Sequence, residues 1–305
     1  MYSTQISAST AVLAQAFAPL RLLLLRHNLS PKSDYTGLSF GSPIFLMSNK
    51  KSEMKLRTVI VIGATSGIGR AVVERLASEG VRVGIAGRRE DRLLELQQRF
   101  GAELISYRVM DVTKPSATEA LDELLAEVGA PDALLYASGI GKQNPALDED
   151  IELRTIETNS VGMVRIVDHF INYAKRETAY NKKHKAHIAV ITSVAGTKGI
   201  GQAPAYSATK SMQSAYLVAL SQYARMEHVP ITVGDIRPGF VATDILNPEK
   251  RYPMIMTVER AAKFVTKSLR HHKRITIFDW RYKLLVCFWR MIPRCIWERI
   301  TIVQN

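Results

Sequence analysis

Tyr206 and Lys210, in Tyr206-Ser-Ala-Thr-Lys210, stand four positions apart, a spacing that puts both side chains on one face of a helix. An ammonium beside a phenol favours the phenolate and draws its pKa down from about 10 toward the working range. Such a phenol can give or take a proton at an oxygen while the carbon that bears it is reduced or oxidised. Of the eleven tyrosines, Tyr206 alone has a lysine four positions later. An isolated pair of this kind is more often an exposed helical contact, so its setting decides the reading. Ser193, one short loop upstream, can hold the same oxygen.

Two further clusters point to a bound dinucleotide. Gly63-Ala-Thr65-Ser66-Gly67-Ile68-Gly69 follows an apolar run and opens a helical pattern. Glycines there let the backbone approach a pyrophosphate, and the helix start offers unpaired N–H groups to its charge. The spacing is G-x-x-x-G-x-G rather than the general G-x-G-x-x-G. A glycine turn alone is weak; its place between the first strand and first helix strengthens it. About 20 residues on, Arg88 and Arg89 occupy the point where a carboxylate would bind a ribose 2′-hydroxyl, whereas arginine accommodates a 2′-phosphate. A plain solvated helix start is the bland alternative, yet cations there oppose the helix dipole. The expected cofactor is NADP(H).

These groups need a scaffold that brings strand ends together. Apolar runs at 58–62, 81–86, 104–109, 133–136, 188–192, 231–236 and 274–278 alternate with helical patterns at 68–78, 90–99, 116–127, 151–176, 205–225 and 258–271. Continuous apolar runs between helices imply right-handed crossovers and a parallel sheet covered on both faces. The expected fold is α/β, a single Rossmann-type doubly wound sheet of about seven strands, followed by a C-terminal amphipathic helical tail. Residues 54–279 form the NADP-binding domain, 1–53 a disordered or non-native extension, and 280–305 the basic tail.

With these motifs in place, the chain resembles the short-chain dehydrogenase/reductase superfamily over roughly residues 56–243. The glycine motif matches through Gly63, Gly67 and Gly69, with Thr65, Ser66 and Ile68 counted among the cofactor contacts. The resemblance implies cofactor contacts at Asp111-Val112, beside the adenine, and at Ser138-Gly139, in the turn after the fourth strand. It places a helix asparagine that supports a water in a proton relay at Asn159, in Thr158-Asn159-Ser160-Val161-Gly162. It makes Ser193, Tyr206 and Lys210 catalytic, with Ser193 and Tyr206 on substrate and Lys210 also on the nicotinamide ribose. Pro238-Gly239 and Thr243 are implied nicotinamide contacts. The activity implied is NADP(H)-dependent reduction of a ketone or aldehyde to an alcohol, or the reverse. An epimerase would share every motif, and a non-catalytic NADP-binding regulator would be expected to lose the Tyr or Lys, which are intact here. Two departures stand out. Tyr136-Ala137-Ser138-Gly139 replaces the usual Asn-Asn-Ala-Gly, and the Asp-Gly-Gly ending of many tetrameric members is missing, so that tetramer is not carried over.

The net charge of +13 lies mostly at the ends: +3 in residues 1–53, +6 in 269–305, and only +4 in the body between. A nucleic-acid-binding body is therefore disfavoured. Cys287 and Cys295, the only cysteines, would be roughly 12 Å apart along one helix, beyond disulfide reach. No spaced Cys or His set suggests zinc, and a reducing, cytoplasmic setting follows. The apolar run at 11–25 is shorter than a membrane span and lacks the basic lead of a secretory signal. In the tail, Leu284, Leu285, Phe288, Trp289, Ile292, Ile296 and Trp297 read as one broad apolar face, opposite Lys283, Arg290 and Arg294, with a kink at Pro293. That face suits a membrane interface, the protein's own body or a second copy in a homodimer. Residues 244–256 (Ile245, Leu246, Tyr252, Pro253, Met254, Ile255 and Met256) form the expected lid, with Lys250 and Arg251 its only cations, which leans toward a lipophilic carbonyl.

Overall fold

Seven parallel strands build one sheet in the order β3-β2-β1-β4-β5-β6-β7. They are β1 Thr58–Ile62, β2 Arg82–Gly87, β3 Ile105–Val109, β4 Ala133–Tyr136, β5 Ala186–Ile191, β6 Ile231–Arg237 and β7 Ile275–Ile277. This computed structural model describes residues 54–182, 184–246, 252 and 254–300. The readings of residues 1–53, and of Lys250, Arg251 and Pro253, fall outside the described residues.

Residues β1 (TVIVI) and β4 (ALLY) are almost wholly buried, because helices cover both sheet faces and neither face meets water. On one face lie α3 (Ala117–Val128), α5 (Gly162–Arg176) and α6 (Pro204–Met226), packing Leu121, Ile166, Phe170 and Leu217 against Ile60 and Leu134. On the other lie α1 (Gly67–Ser78), α2 (Glu90–Phe100) and α7 (Val258–Arg270), packing Leu76, Leu93 and Val265 against Val61 and Leu135. Each such side chain contributes about 1.5–3 kcal/mol when fully buried. Strand order reverses between β1 and β4, which opens a crevice at the carboxyl ends of the strands.

The helix expected over 151–176 is not one element. It is α4 (Glu149–Ile156), a π turn (Glu157–Val161) and then α5. Sequence periodicity cannot register this, since a π turn inserts only one residue into a helical register. The tail is likewise two helices, α8 (Trp280–Met291) and α9 (Arg294–Trp297), broken before Pro293 as proline requires.

The tail face departs from expectation. Leu284, Phe288 and Ile296 are exposed, whereas Tyr282 and Val286 are buried, with Leu285 packed beside them against Val194, Phe240 and Met254. The wide apolar set splits in two because α8 lies on the body along one side only. Lys198 Nζ donates to Ile292 O (2.8 Å) and Trp297 Nε1 to Gly199 O (2.7 Å), fastening the tail's far end to the loop after β5. Cys287 and Cys295 are exposed and unbonded.

Candidate active site

The crevice holds a cavity of about 590 Å³, and every candidate site residue except Asn159 lines it. Gly63, Thr65, Ser66, Gly67, Ile68 and Gly69 form its floor where β1 turns into α1. A Cβ on Gly63 would fall 2.6 Å from Ser138 N, and one on Gly69 2.2 Å from Gly63 O. Gly63 also has φ +90°, a conformation that side chains other than glycine rarely adopt. The turn is thus packed backbone to backbone against Ala137-Ser138 at the end of β4.

A dinucleotide fits this floor. Ser66 makes no side-chain cap, and the first turn of α1 holds no acidic residue, so its leading N–H groups are left for an anion. At the end of β2, Arg89 Nε and a terminal guanidinium nitrogen donate to Thr65 Oγ1 (3.2 and 2.9 Å), and Arg92 donates to Thr65 O (3.3 Å). Burial and then the Arg92 charge push the Arg89 guanidinium below its usual range, against the pull of Asp244. Crowded cations of this kind gain from a bound anion. Arg88 lines the same rim and is exposed. Asp111 accepts from Thr113 N and Oγ1 (3.0 and 2.8 Å), and these bonds hold its carboxyl below its ordinary value despite burial. Arg165 fixes the neighbouring Val112 O (2.5 Å).

Deeper in the cavity, Ser193 follows β5 in extended backbone, and its hydroxyl bonds the Tyr206 phenol. Tyr206 and Lys210 come from α6, which opens with Pro204 at its first position. Glu152 Oε2 accepts from Ala205 N (2.7 Å), placing a carboxylate at the positive end of that helix. A Cβ on Gly141 would sit 2.7 Å from the Tyr206 ring, so the loop after β4 presses directly on the phenol. Lys210 is buried, donating to Ile191 O (3.0 Å) and Gln213 Oε1 (3.1 Å), with Nζ 5.8 Å from the Tyr206 ring centre.

The electrostatics correct one expectation. The Tyr206 phenol is pushed up, not down, because its burial outweighs the Ser193 hydrogen bond. Burial instead lowers the Lys210 amine, to about 8, against the pull of Asp235. The desolvation acts on both groups, and at this separation the ammonium does not reverse it for the phenol. At neutral pH the pair is therefore a neutral phenol beside a cationic amine, which is the state of a proton donor.

Asn159 sits within the π turn, fully buried behind the cavity. Its amide accepts from Ile140 N (2.9 Å) and donates to Ile140 O (2.8 Å) and Thr209 Oγ1 (3.1 Å), tying the loop after β4 to α6. Its carbonyl accepts from Gln213 Nε2 (2.6 Å). Gln213 is a site residue that the sequence reading missed. It spans the Asn159 carbonyl and the Lys210 ammonium with one rigid amide. The signal was available, since Gln213 is three positions from Lys210 and so shares its helix face. Tyr136, the unusual residue at the end of β4, is buried and donates to Thr158 O (3.1 Å), bracing the same turn.

The remaining wall is largely apolar. Pro238 and Gly239 follow β6, with Val194 N donating to Pro238 O (3.0 Å). Thr243 stands against Gly67, its methyl 3.1 Å from where a Cβ would be. Of the expected lid, Ile245, Leu246, Tyr252 and Met254 line the cavity, while Ile255 is exposed and Met256 pairs with Val241 in the core. The tail completes this wall with Tyr282, Leu285 and Trp289. Tyr282 was absent from the expected apolar face, since its polar hydroxyl, which donates to Met254 O (3.4 Å) and accepts from Phe240 N (3.0 Å), hid the buried ring that carries it.

Comparison with known proteins agrees with this architecture. The short chain dehydrogenase family model matches residues 57–252. The chain belongs to the short-chain dehydrogenase family. An uncharacterized oxidoreductase of Myxococcus xanthus is 29% identical over 254 residues, covering 81% of this chain and 97% of the relative. Among solved structures, the 3-ketoacyl-(acyl-carrier-protein) reductase of Brucella melitensis, complexed with NADH, superimposes with a TM-score of 0.65 at 20% identity, covering 73% of this chain and 96% of that one. An actinorhodin polyketide ketoreductase with NADPH gives 0.61 at 22% identity, covering 73% and 95%. At these identities the two structures speak for the fold.

Proposed function

We propose that this oxidoreductase uses NADP(H) to reduce a lipophilic ketone or aldehyde to an alcohol, with Tyr206 as the general acid. The observation that carries the reading is the convergence of the Ser193 hydroxyl, the Tyr206 phenol and the Lys210 ammonium in one cavity, facing the apolar wall of Leu246, Tyr252, Leu285 and Trp289. When bound, the dinucleotide supplies the hydride. Ser193 and Tyr206 orient the substrate oxygen, and Tyr206 delivers its proton there. Lys210, held by Ile191 O and Gln213, supplies positive charge beside the phenolate that results. The apolar wall of Leu246, Tyr252, Leu285 and Trp289 favours a carbonyl without a charged head. Two of the fold neighbours named above are reductases of ketoacyl and polyketide carbonyls, which supports the direction. Following NADPH absorbance against a panel of short and long-chain ketones and aldehydes tests the assignment; NADPH consumption that no carbonyl accelerates would refute it.

Two outcomes follow from the Lys210 environment. An amine with a pKa of about 8 is cationic below that value and neutral above it, so kcat should hold across neutral pH and fall on the alkaline side of about 8. A pH–rate profile at saturating NADPH checks this, and a flat profile to pH 10 would remove Lys210 from the mechanism. Gln213→Leu takes an acceptor from the ammonium and a donor from the Asn159 carbonyl. We expect kcat to fall about tenfold, the worth of one hydrogen bond to a charged group, and the alkaline limb to move to lower pH. Gln213→Glu restores an acceptor and should move that limb upward. A loss of kcat with the limb unmoved would mark Gln213 as merely structural.

A further inference from the structure

Helix α8 carries two apolar faces, and the protein itself uses one. At about 100° per residue, Tyr282, Leu285, Val286 and Trp289 gather on one side; Tyr282 and Val286 are buried, and Tyr282, Leu285 and Trp289 line the cavity. Trp280, Leu284, Phe288 and Met291 recur at i, i+4, i+8 and i+11 on the opposite side, where they are 67%, 50%, 63% and 72% exposed. Exposed cations edge this outer stripe, Lys283 and Arg290 on one flank, with Arg281, paired to Asp279, on the other. Arg294 and Arg299 follow on α9 and beyond, also exposed.

Charge says what covers the stripe. From residue 269 onward there are eight basic and two acidic side chains. Both acids are taken up locally, Asp279 by Arg281 (2.8 Å) and Glu298 by Arg294 (2.6 Å). A second copy docked about a two-fold axis would set one cationic border against its own image, with no free carboxylate to answer it. An anionic surface answers it directly. A helix of twelve residues is too short to span a bilayer, and among the described residues no helix is long and apolar enough to cross one. Aromatic and apolar side chains bordered by cations instead suit a helix lying in the plane of the lipid headgroups.

We propose that the outer face of α8 seats the protein on an anionic lipid bilayer, so that one helix is at once the membrane contact and a wall of the cavity. Only the description of that cavity as a substrate site rests on the reductase reading. A carbonyl dissolved in the bilayer would then meet the cavity across the thickness of α8, without a passage through bulk water.

The test is co-sedimentation of the full chain with phosphatidylcholine vesicles, with and without phosphatidylserine. Wild type should partition to the phosphatidylserine vesicles at least about tenfold better than to phosphatidylcholine alone. The outer-face variant Trp280→Ser/Phe288→Ser/Met291→Ser should lose about tenfold or more of that binding while keeping its turnover of a short, water-soluble carbonyl. Trp289→Ala, on the inner face, should keep wild-type vesicle binding and shows that α8 need only stay folded. Equal partitioning of wild type and the outer-face variant would overturn the proposal. So would a wild-type dimer, seen by light scattering, that the variant dissolves while neither form binds vesicles. Vesicle binding is read without turnover, so a chain that reduced no carbonyl would refute the reductase reading and leave the lipid surface standing.

Discussion

Tyr206→Phe is expected to lower kcat for carbonyl reduction by about 10²–10⁴-fold, the range that a positioned general acid contributes, with little change in NADPH binding. The substitution removes one oxygen from a buried ring and leaves the packing against Gly141 in place. It strips the cavity of its proton donor, because Ser193 spends its hydroxyl on holding oxygens and Lys210 points to Ile191 O and Gln213. Burial keeps the phenol protonated at neutral pH, so the wild-type donor is fully loaded, and the variant lacks the phenol that is hydrogen-bonded to Ser193. The decisive measurement is single-turnover NADPH oxidation with a saturating carbonyl, alongside thermal denaturation of both forms. Unchanged turnover in a folded variant would transfer the proton-donor role to another group.

The second large effect concerns the cofactor. Arg88→Ala/Arg89→Ala should raise the KM for NADPH by about 10²-fold and leave that for NADH within about threefold. Each charge-assisted hydrogen bond to a phosphate is worth about 1.5–3 kcal/mol, and two adjacent arginines share one anion, so their contributions do not simply add. Arg89 is already aimed, braced by Thr65 Oγ1 at the lip of the glycine turn. Burial and then Arg92 already disfavour the Arg89 charge, so the unliganded protein loses little beyond the two hydrogen bonds to Thr65 Oγ1. Steady-state kinetics with both cofactors decide the matter. Parallel losses for NADPH and NADH would show that the arginines read the shared pyrophosphate and adenosine, not a 2′-phosphate.

The sheet was legible because strands buried on both faces must be largely apolar, and β1, β4 and β5 are, apart from Thr58 at the start of β1 and His187 in β5. The cavity lining was legible for a related reason. Parallel strands end on the same side, so Gly63 after β1, Arg88 after β2, Ser138 after β4 and Ser193 after β5 meet wherever the sheet forms. What stayed hidden depends on distances that spacing cannot express. Tyr206 and Lys210 share a helix face as expected, yet a lysine reaching back to Ile191 O leaves burial in command of the phenol. The π turn at Glu157–Val161 adds a residue that no periodicity flags, and it is what presents the Asn159 carbonyl to Gln213. The tail read as one stripe because Leu285 and Leu284, or Trp289 and Phe288, are chemically alike; only docking tells inner from outer.

Tyr282 lies so close over Gly239 that a Cβ there would fall 2.1 Å from the ring. Whenever lineages of this chain diverge, the two positions are therefore bound to move together. A side chain can appear at 239 only where the aromatic at 282 has been given up or the tail has left the cavity. Relatives should then sort into two kinds, glycine with a capping aromatic and substituted with none, and a chimera joining the body of one kind to the tail of the other should fail to close its site.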